Sequence, residues 1–238
     1  PDLKKLSDDL NAEGIRLVPI IDAGIRIDPE DETCQEGLEK GYFCKKADGT
    51  PFVAAVWPGK AYFPDFLRPE VRAWFGQRYH VLTDLGIEGF WNDMNEPALF
   101  YSPEHLKATL NELAALSEQD NLEHHEFFGL IGKVMHLMNN PEDYASFYHE
   151  VDGKSIRHDR VHNIYGGNMT RAAGEAFRKL RPNQRTLLYS RSSFIGSHRY
   201  GGIWLGDNHS SWAQLLANIQ MMPNVQMCGF LYTGADLC

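Results

Sequence analysis

Two short stretches carry the residue types that could do chemistry. Gly89-Phe90-Trp91-Asn92-Asp93-Met94-Asn95-Glu96-Pro97 passes from apolar and aromatic residues into two carboxylates and amides, and Trp204-Leu205-Gly206-Asp207-Asn208 is built in the same way. Each reads as a strand stopped at a surface by an acid. Two carboxylates delivered by two strand ends to one ligand suit the cleavage of an acetal between sugars. There one carboxylate stabilises or traps the positive anomeric carbon, while an acid protonates the departing oxygen. Asp93 and Asp207 are the candidates, and local sequence does not settle which takes which role. The plainer reading of the first stretch, an N-capping aspartate before a turn at Pro97, does not account for the repeat of the pattern at Asp207.

Other residues could complete such a site. Arg191 offers a planar fork of donors suited to hydroxyls or a carboxylate, or it could simply neutralise the aspartates. Trp57, Trp91 and Trp204 offer flat apolar faces for the C–H side of a pyranose, although a tryptophan is more often core than platform. Asp22 and Asp236 could accept paired hydrogen bonds from sugar hydroxyls; Asp22 could equally cap a helix or pair with Arg26. Glu96 reads as a partner behind the site rather than as its nucleophile. No residue set has metal-ligand spacing, and the histidines at 124, 125, 149, 158 and 162 match no ligand motif. A metal site on them is not expected.

These residues need elements to position them. Leu3, Leu6 and Leu10 mark a helix over 2–13 that Gly14 stops. Ile15 to Ile21 reads as a buried strand ending at Asp22. Residues 28–51 are a polar excursion before Phe52 to Val56. Val71, Trp74, Phe75, Tyr79 and Leu82 predict a helix from Pro69 to Leu85, and Ile87 to Trp91 the strand that carries Asp93. Leucines at 106, 110, 113 and 116 open a helical insertion, with further helices expected near 124–138 and 142–151. A helix over 166–180 follows, then strands over Arg185–Ser190, Ile203–Leu205 and Gly229–Thr233, with a helix after Ser210 or Ser211. Strands alternating with helices predict an α/β fold with parallel strands. Every strand ends in a polar residue (Asp22, Asp93, Arg191, Asp207 and Asp236), as at the catalytic face of a (β/α)₈ TIM-type barrel. A doubly wound sheet would also gather strand ends, but no glycine-rich phosphate loop is present.

The chain has 238 residues, enough for one barrel-type domain. Its formal charge is -9, from 23 Lys and Arg against 32 Asp and Glu, which argues against nucleic-acid or anionic-membrane partners. No window is long and apolar enough to span a membrane. Cys34, Cys44, Cys228 and Cys238 read as reduced thiols of a cytoplasmic protein, with a 34–44 bridge left open. No signal peptide is visible, and the chain reads as a fragment that begins and ends inside a domain.

The stretch Trp91-Asn92-Asp93-Met94-Asn95-Glu96-Pro97 resembles the nucleophile signature of glycoside hydrolase family 31, in the form carried by its α-glucosidases. Ser190-Arg191-Ser192-Ser193-Phe194, followed by Arg199 to Asn208, is similar to that family's acid/base region. Val56-Trp57-Pro58-Gly59 with Tyr62 to Phe66, and Tyr232 to Asp236, complete the resemblance in order. It implies that Asp93 is the nucleophile and Asp207 the general acid/base, with Trp57, Trp91, Arg191, Trp204 and Asp236 lining the sugar subsite. Met94 would sit beside the nucleophile and Asp22 at the pocket rim. It implies a retaining exo-α-glucosidase acting on small oligosaccharides, with carboxyl groups roughly 5–5.5 Å apart and with neither a metal nor an organic cofactor.

A transglucosidase or an α-glucan lyase would use the same two aspartates, and a non-catalytic sugar-binding or partner barrel is the alternative from another class. Against the family pattern, the chain corresponds to about strands three to seven, residues 1–238 being an incomplete catalytic barrel with insertions at about 28–64 and 98–165. Its partners are then the remainder of the barrel and the β-domains of the full-length chain. Such a piece alone would expose two sheet edges and is expected to be inactive and poorly soluble. Linkage preference and self-association into a homo-oligomer stay open.

Overall fold

The computed structural model describes residues 2–119 and 121–236, which divide into two compact units. The first unit comprises residues up to Ala23, Phe66–Glu96 and the chain from Asn163 onward; the second comprises Gly24–Asp65 and Pro97–His162.

The first unit is built on five parallel strands, Ile20–Asp22, Gly89–Asp93, Leu187–Ser190, Gly202–Trp204 and Thr233–Gly234, lying side by side in chain order. A doubly wound sheet would reverse strand order at a switch point, whereas sequential order is that of a barrel wall. The chain is therefore an α/β protein containing part of a (β/α)₈ barrel. Helices Leu3–Ala12, Pro69–Arg78, His162–Leu180 and Trp212–Met227 accompany the strands. The first is capped by the Asp2 carboxylate, which accepts from the Lys5 amide at 3.0 Å.

The second strand shows how sequence sets facing. Alternation sends Phe90 and Asn92, both fully buried, to the side of the helices. There Phe90 stacks on Phe177 at 5.0 Å and meets Tyr79 edge-on at 5.1 Å, while the Tyr79 hydroxyl donates to Asn92 Oδ1 at 2.6 Å. Trp91 and Asp93 take the opposite face. Helix-to-helix contact behind this strand requires glycine at position 76, because a Cβ there would lie 2.4 Å from the Ala172 carbonyl oxygen.

The second unit holds two small antiparallel sheets. Val53–Val56 and Gly59–Tyr62 form a hairpin whose turn carries Trp57, with Ile25–Arg26 alongside. Phe147–Val151 and Lys154–Arg157 form another, flanked by Lys45–Lys46. The helix expected over 142–151 is thus corrected to a single turn, Pro141–Tyr144, followed by a strand. Phe147 to Val151 has period-two burial, and Asp152 and Gly153, at φ 50° and 73°, make the tight hairpin turn. Helices Pro103–Ser117 and His124–Met135 and a helix at Glu32–Glu39 complete this unit.

Smaller differences have local causes. The first strand is only three residues long, although the Pro19 carbonyl before it still accepts from the Trp91 amide at 3.1 Å. The helix from Pro69 is interrupted at Tyr79 before a short continuation, His80–Thr83. Gly229, at φ 95°, stops helix Trp212–Met227, and the fifth strand begins only at Thr233. Cys34, Cys44 and Cys228 are free thiols, so no 34–44 bridge forms; Cys238 lies outside the described residues. No helix among the described residues is long and apolar enough to cross a membrane.

Candidate active site

Parallel pairing levels the strand ends. Asp22 is the register partner of Asp93, and Asn92 that of Ser190, so Arg191 follows directly beside the nucleophile candidate. The Arg191 amide donates to the Asn92 carbonyl at 3.0 Å, extending the ladder by one bond. Its guanidinium then meets both acids of the Asp93–Glu96 turn. Nε and Nη2 donate to the two Glu96 carboxylate oxygens at 2.9 and 2.8 Å, and Nη1 lies 3.1 Å from Asp93 Oδ1. Two parallel bonds to Glu96 fix the guanidinium plane, as a single contact would not. Nη2 also reaches Met94 Sδ at 3.2 Å. Burial opposes the charge on Arg191, but Glu96, Asp93 and Asp207 outweigh it and hold the guanidinium above its ordinary value. Glu96 is thus the bidentate partner of Arg191, whose guanidinium faces two acids at once.

Met94 sits at φ 52°, a left-handed conformation that costs a non-glycine residue about 1–3 kcal/mol. The Met94 amide donates to Asp93 Oδ1 at 2.8 Å. Asp93 Oδ1 therefore faces a backbone donor and the arginine together. Asp22 lies under a different balance. Burial raises its pKa, the charge on Asp93 raises it further and Arg191 lowers it, leaving it at about 6. Two neighbouring carboxyls thus differ: one is flanked by donors, the other keeps its proton up to about pH 6.

The fourth and fifth strands complete the arrangement. Trp204 meets Trp91 edge-on at 4.5 Å, and its indole N–H donates to Asp236 Oδ1 at 2.8 Å. The buried indole N–H of Trp91 has no hydrogen-bond partner, a donor left over on the face that carries Asp93. Asp207 is exposed on the loop after Trp204, within the electrostatic reach of Arg191. A cleft of about 390 Å³ lined by Ser211, Gln214, Asn218 and Asp236 opens after the fifth strand. A larger cavity, about 680 Å³, lies among Leu187, Gly202, Arg181 and Arg199 at the beginnings of the strands, with no carboxylate among its lining residues.

Asp22, Asp93, Met94, Trp91, Arg191, Trp204, Asp207 and Asp236 thus all belong to the first unit. Trp57 belongs to the second, where it is 73% exposed and packs edge-on against Phe100 at 4.9 Å. Local sequence did not single out Asn95, a wholly buried side chain that bonds across to the loop after the third strand. An amide set between two acids, where the chain turns away from its strand, is the only signal that could have marked it.

The histidines form a different cluster. His149 Nδ1 lies 2.6 Å from Asp65 Oδ1, His149 Nε2 lies 2.9 Å from His158 Nδ1, and His158 Nε2 lies 2.9 Å from His162 Nδ1. Cys44, Asp65 and His149 place one ligand-type atom each within 4.8 Å of one another, all buried. The 2.6 Å separation is that of a hydrogen bond, shorter than two ligands around one ion would adopt. A neutral Nδ1–H tautomer on each ring satisfies the whole chain.

A row of parallel strands with acids at their C-terminal ends is the arrangement found at the catalytic face of (β/α)₈ barrels. The chain belongs to glycosyl hydrolase family 31: residues 1–238 match the family described as "Glycosyl hydrolases family 31 TIM-barrel domain". "Alpha-glucosidase 2" of Bacillus thermoamyloliquefaciens is 36% identical over 237 residues, covering 100% of this chain and 25% of that protein. "Alpha-glucosidase" of Saccharolobus solfataricus is 30% identical over 237 residues, covering 100% of this chain and 31% of that protein. Among solved structures, a glucosidase II alpha subunit superposes with a TM-score of 0.74 at 28% identity, covering 99% of this chain and 22% of that one. The chain thus spans between a quarter and a third of the length of these two curated relatives.

Proposed function

We propose that this chain is the catalytic barrel segment of a retaining exo-α-glucosidase that removes terminal non-reducing glucose from small α-linked oligosaccharides. The observation that carries the reading is the Asp93 carboxylate, held at a strand end by a backbone amide and by Arg191, with Asp207 in the field of the same arginine. The names of the relatives support the α-glucoside as substrate.

In the first step an Asp93 oxygen attacks the anomeric carbon while the bond to the leaving oxygen breaks, and that oxygen takes the proton of Asp207. In the second, the Asp207 carboxylate takes a proton from water, whose oxygen attacks the anomeric carbon and releases Asp93. Donors around Asp93 suit a group that must be ionised at attack. Trp91 and Trp204 offer apolar faces and one unsatisfied indole N–H to the sugar, while Asp22 and Asp236 accept from its hydroxyls. The rest of the barrel, contributed by the full-length chain, completes the pocket, and the site requires neither metal nor organic cofactor.

The test is stereochemical. Full-length protein given an α-linked disaccharide releases α-glucose first, read by NMR before mutarotation. First release of the β-anomer would remove the double displacement; a longer oligosaccharide or an unsaturated anhydro-sugar as the main product would instead mark a transglucosidase or a lyase.

A further inference from the structure

The turn that carries the nucleophile candidate is strained, and something must hold it. Met94 is buried at φ 52°, and the next residue, Asn95, has no solvent exposure. Its amide reaches across to the loop after the third strand. Asn95 Nδ2 donates to Ser190 Oγ at 2.9 Å, and Asn95 Oδ1 accepts from the Ser192 amide at 2.9 Å. A longer contact, 3.5 Å, runs from Nδ2 to the Gly166 carbonyl at the start of helix His162–Leu180. The orientation of the amide is forced, because a backbone N–H can only donate. Ser190 Oγ gives its own proton to the Ser192 carbonyl at 2.6 Å, so it must accept from Asn95.

The two positions gripped by Asn95 bracket Arg191. Only a primary amide presents a donor and an acceptor on adjacent atoms, so no apolar residue or carboxylate reproduces the grip. The helix approaches closely here as well: a Cβ on Gly166 would lie 2.6 Å from the Asn95 carbonyl oxygen and 2.7 Å from Ser192 Cβ. Three segments thus meet at one buried amide, and two of them carry Asp93 and Arg191.

We propose that Asn95 is a positioning residue for the glycosidase reaction, locking the Arg191 loop against the strained Asp93–Met94 turn so that the guanidinium stays on the nucleophile. The proposal rests on the assignment of Asp93 as nucleophile. A residue that merely stabilised the loop would change the melting temperature alone. A positioning residue also changes chemistry, because a misplacement of about 1 Å at a reacting centre can cost on the order of a hundredfold in rate.

The experiment compares full-length wild type with Asn95→Ala, Ser190→Ala and Glu96→Gln, reading kcat and KM for an aryl α-glucoside against pH alongside thermal midpoints. Asn95→Ala is expected to lower kcat/KM by about ten- to a hundredfold. The acid limb of its pH profile moves upward, because a loosened cation no longer favours ionised carboxylates beside it. Ser190→Ala, which removes one contact, shifts the limb the same way by less and carries the test should Asn95→Ala not fold. Adding Glu96→Gln to Asn95→Ala costs less than the product of the single losses, because both act through Arg191. A lowered midpoint with the acid limb and kcat/KM intact, or losses that multiply in the double variant, would overturn the proposal. Full activity in Asp93→Asn would instead overturn the functional reading on which it rests.

Discussion

The acids at the strand ends of the first unit and the histidine chain of the second draw on the same chemistry: carboxylates, ring nitrogens or guanidinium, and hydrogen bonds below 3.2 Å. They differ in what they leave unsatisfied. In the second unit Asp65, His149 and His158 are wholly or almost wholly buried, and the ring nitrogens linking Asp65 to His162 are paired in sequence. In the first unit Asp93, Asp22 and Asp236 are half-buried, Asp207 is exposed, and the Trp91 indole N–H is unmatched. A polar cluster that closes on itself stabilises and specifies a fold. One held rigidly from behind, with its outward atoms open, can receive a substrate. Glu96 and Asn95 supply the rigidity from behind, and the left-handed Met94 is its local cost.

That contrast breaks first, and hardest, at Asp93. Asp93→Asn is expected to lower kcat for an aryl α-glucoside by about three orders of magnitude or more while the melting temperature stays near wild type, read by steady-state assay and calorimetry. Asp207→Ala follows. Its loss, on the order of 10²–10⁴ with a disaccharide, shrinks with an activated aryl leaving group that needs little protonation. Equal losses with both substrates would remove Asp207 from the acid role.

The buried cluster should answer in the opposite currency. His158→Ala deletes two ring hydrogen bonds and the stacking on Phe147 at 4.3 Å, so it should cost about 2–4 kcal/mol of stability in denaturant titrations. Kinetic parameters of the folded enzyme should move less than in any strand-end variant. Burial, then the neighbouring His149 and His162, push His158 from its ordinary 6.5 down to about 2. The unfolded chain therefore binds a proton below pH 6.5 that the folded chain refuses, and stability fades as pH falls through that window. His158→Ala flattens the slope.

The smallest effect belongs to Asp22, whose sign is reversed. Its folded carboxyl titrates at about 6 against an ordinary 3.8. The folded state keeps a proton that the unfolded chain has released, so this group favours folding at low pH and its contribution is lost as pH rises through about 6. Asp22→Asn should remove that slope, read as the pH dependence of the unfolding midpoint.

Much of this arrangement is legible in the sequence because it is local. Strand-ending acids at Asp22, Asp93 and Asp236, and the runs of apolar residues before them, follow from period and punctuation alone, and parallel strands follow from their alternation with helices, whereas the sequential strand order is fixed only by the pairing itself. What escapes is set by partners distant in sequence. Asn95 meets Ser190 and Ser192 only after a whole insertion has been folded away, so nothing near residue 95 announces the grip. Phe147 to Val151 could be placed on a helix or a strand by its apolar content, and only the Asp152-Gly153 turn and the pairing with Lys154–Arg157 decide it. His149, His158 and His162 show no ligand spacing because they are joined one to the next rather than around a common centre.

The most direct test of the account is to trap the intermediate. A 5-fluoro-glucosyl fluoride slows the release step, so full-length enzyme incubated with it should gain the mass of one sugar, and peptide mapping should place that sugar on Asp93. A label on Asp207 or Glu96, or turnover with no covalent adduct at any residue, would contradict the assignment of Asp93 as the nucleophile.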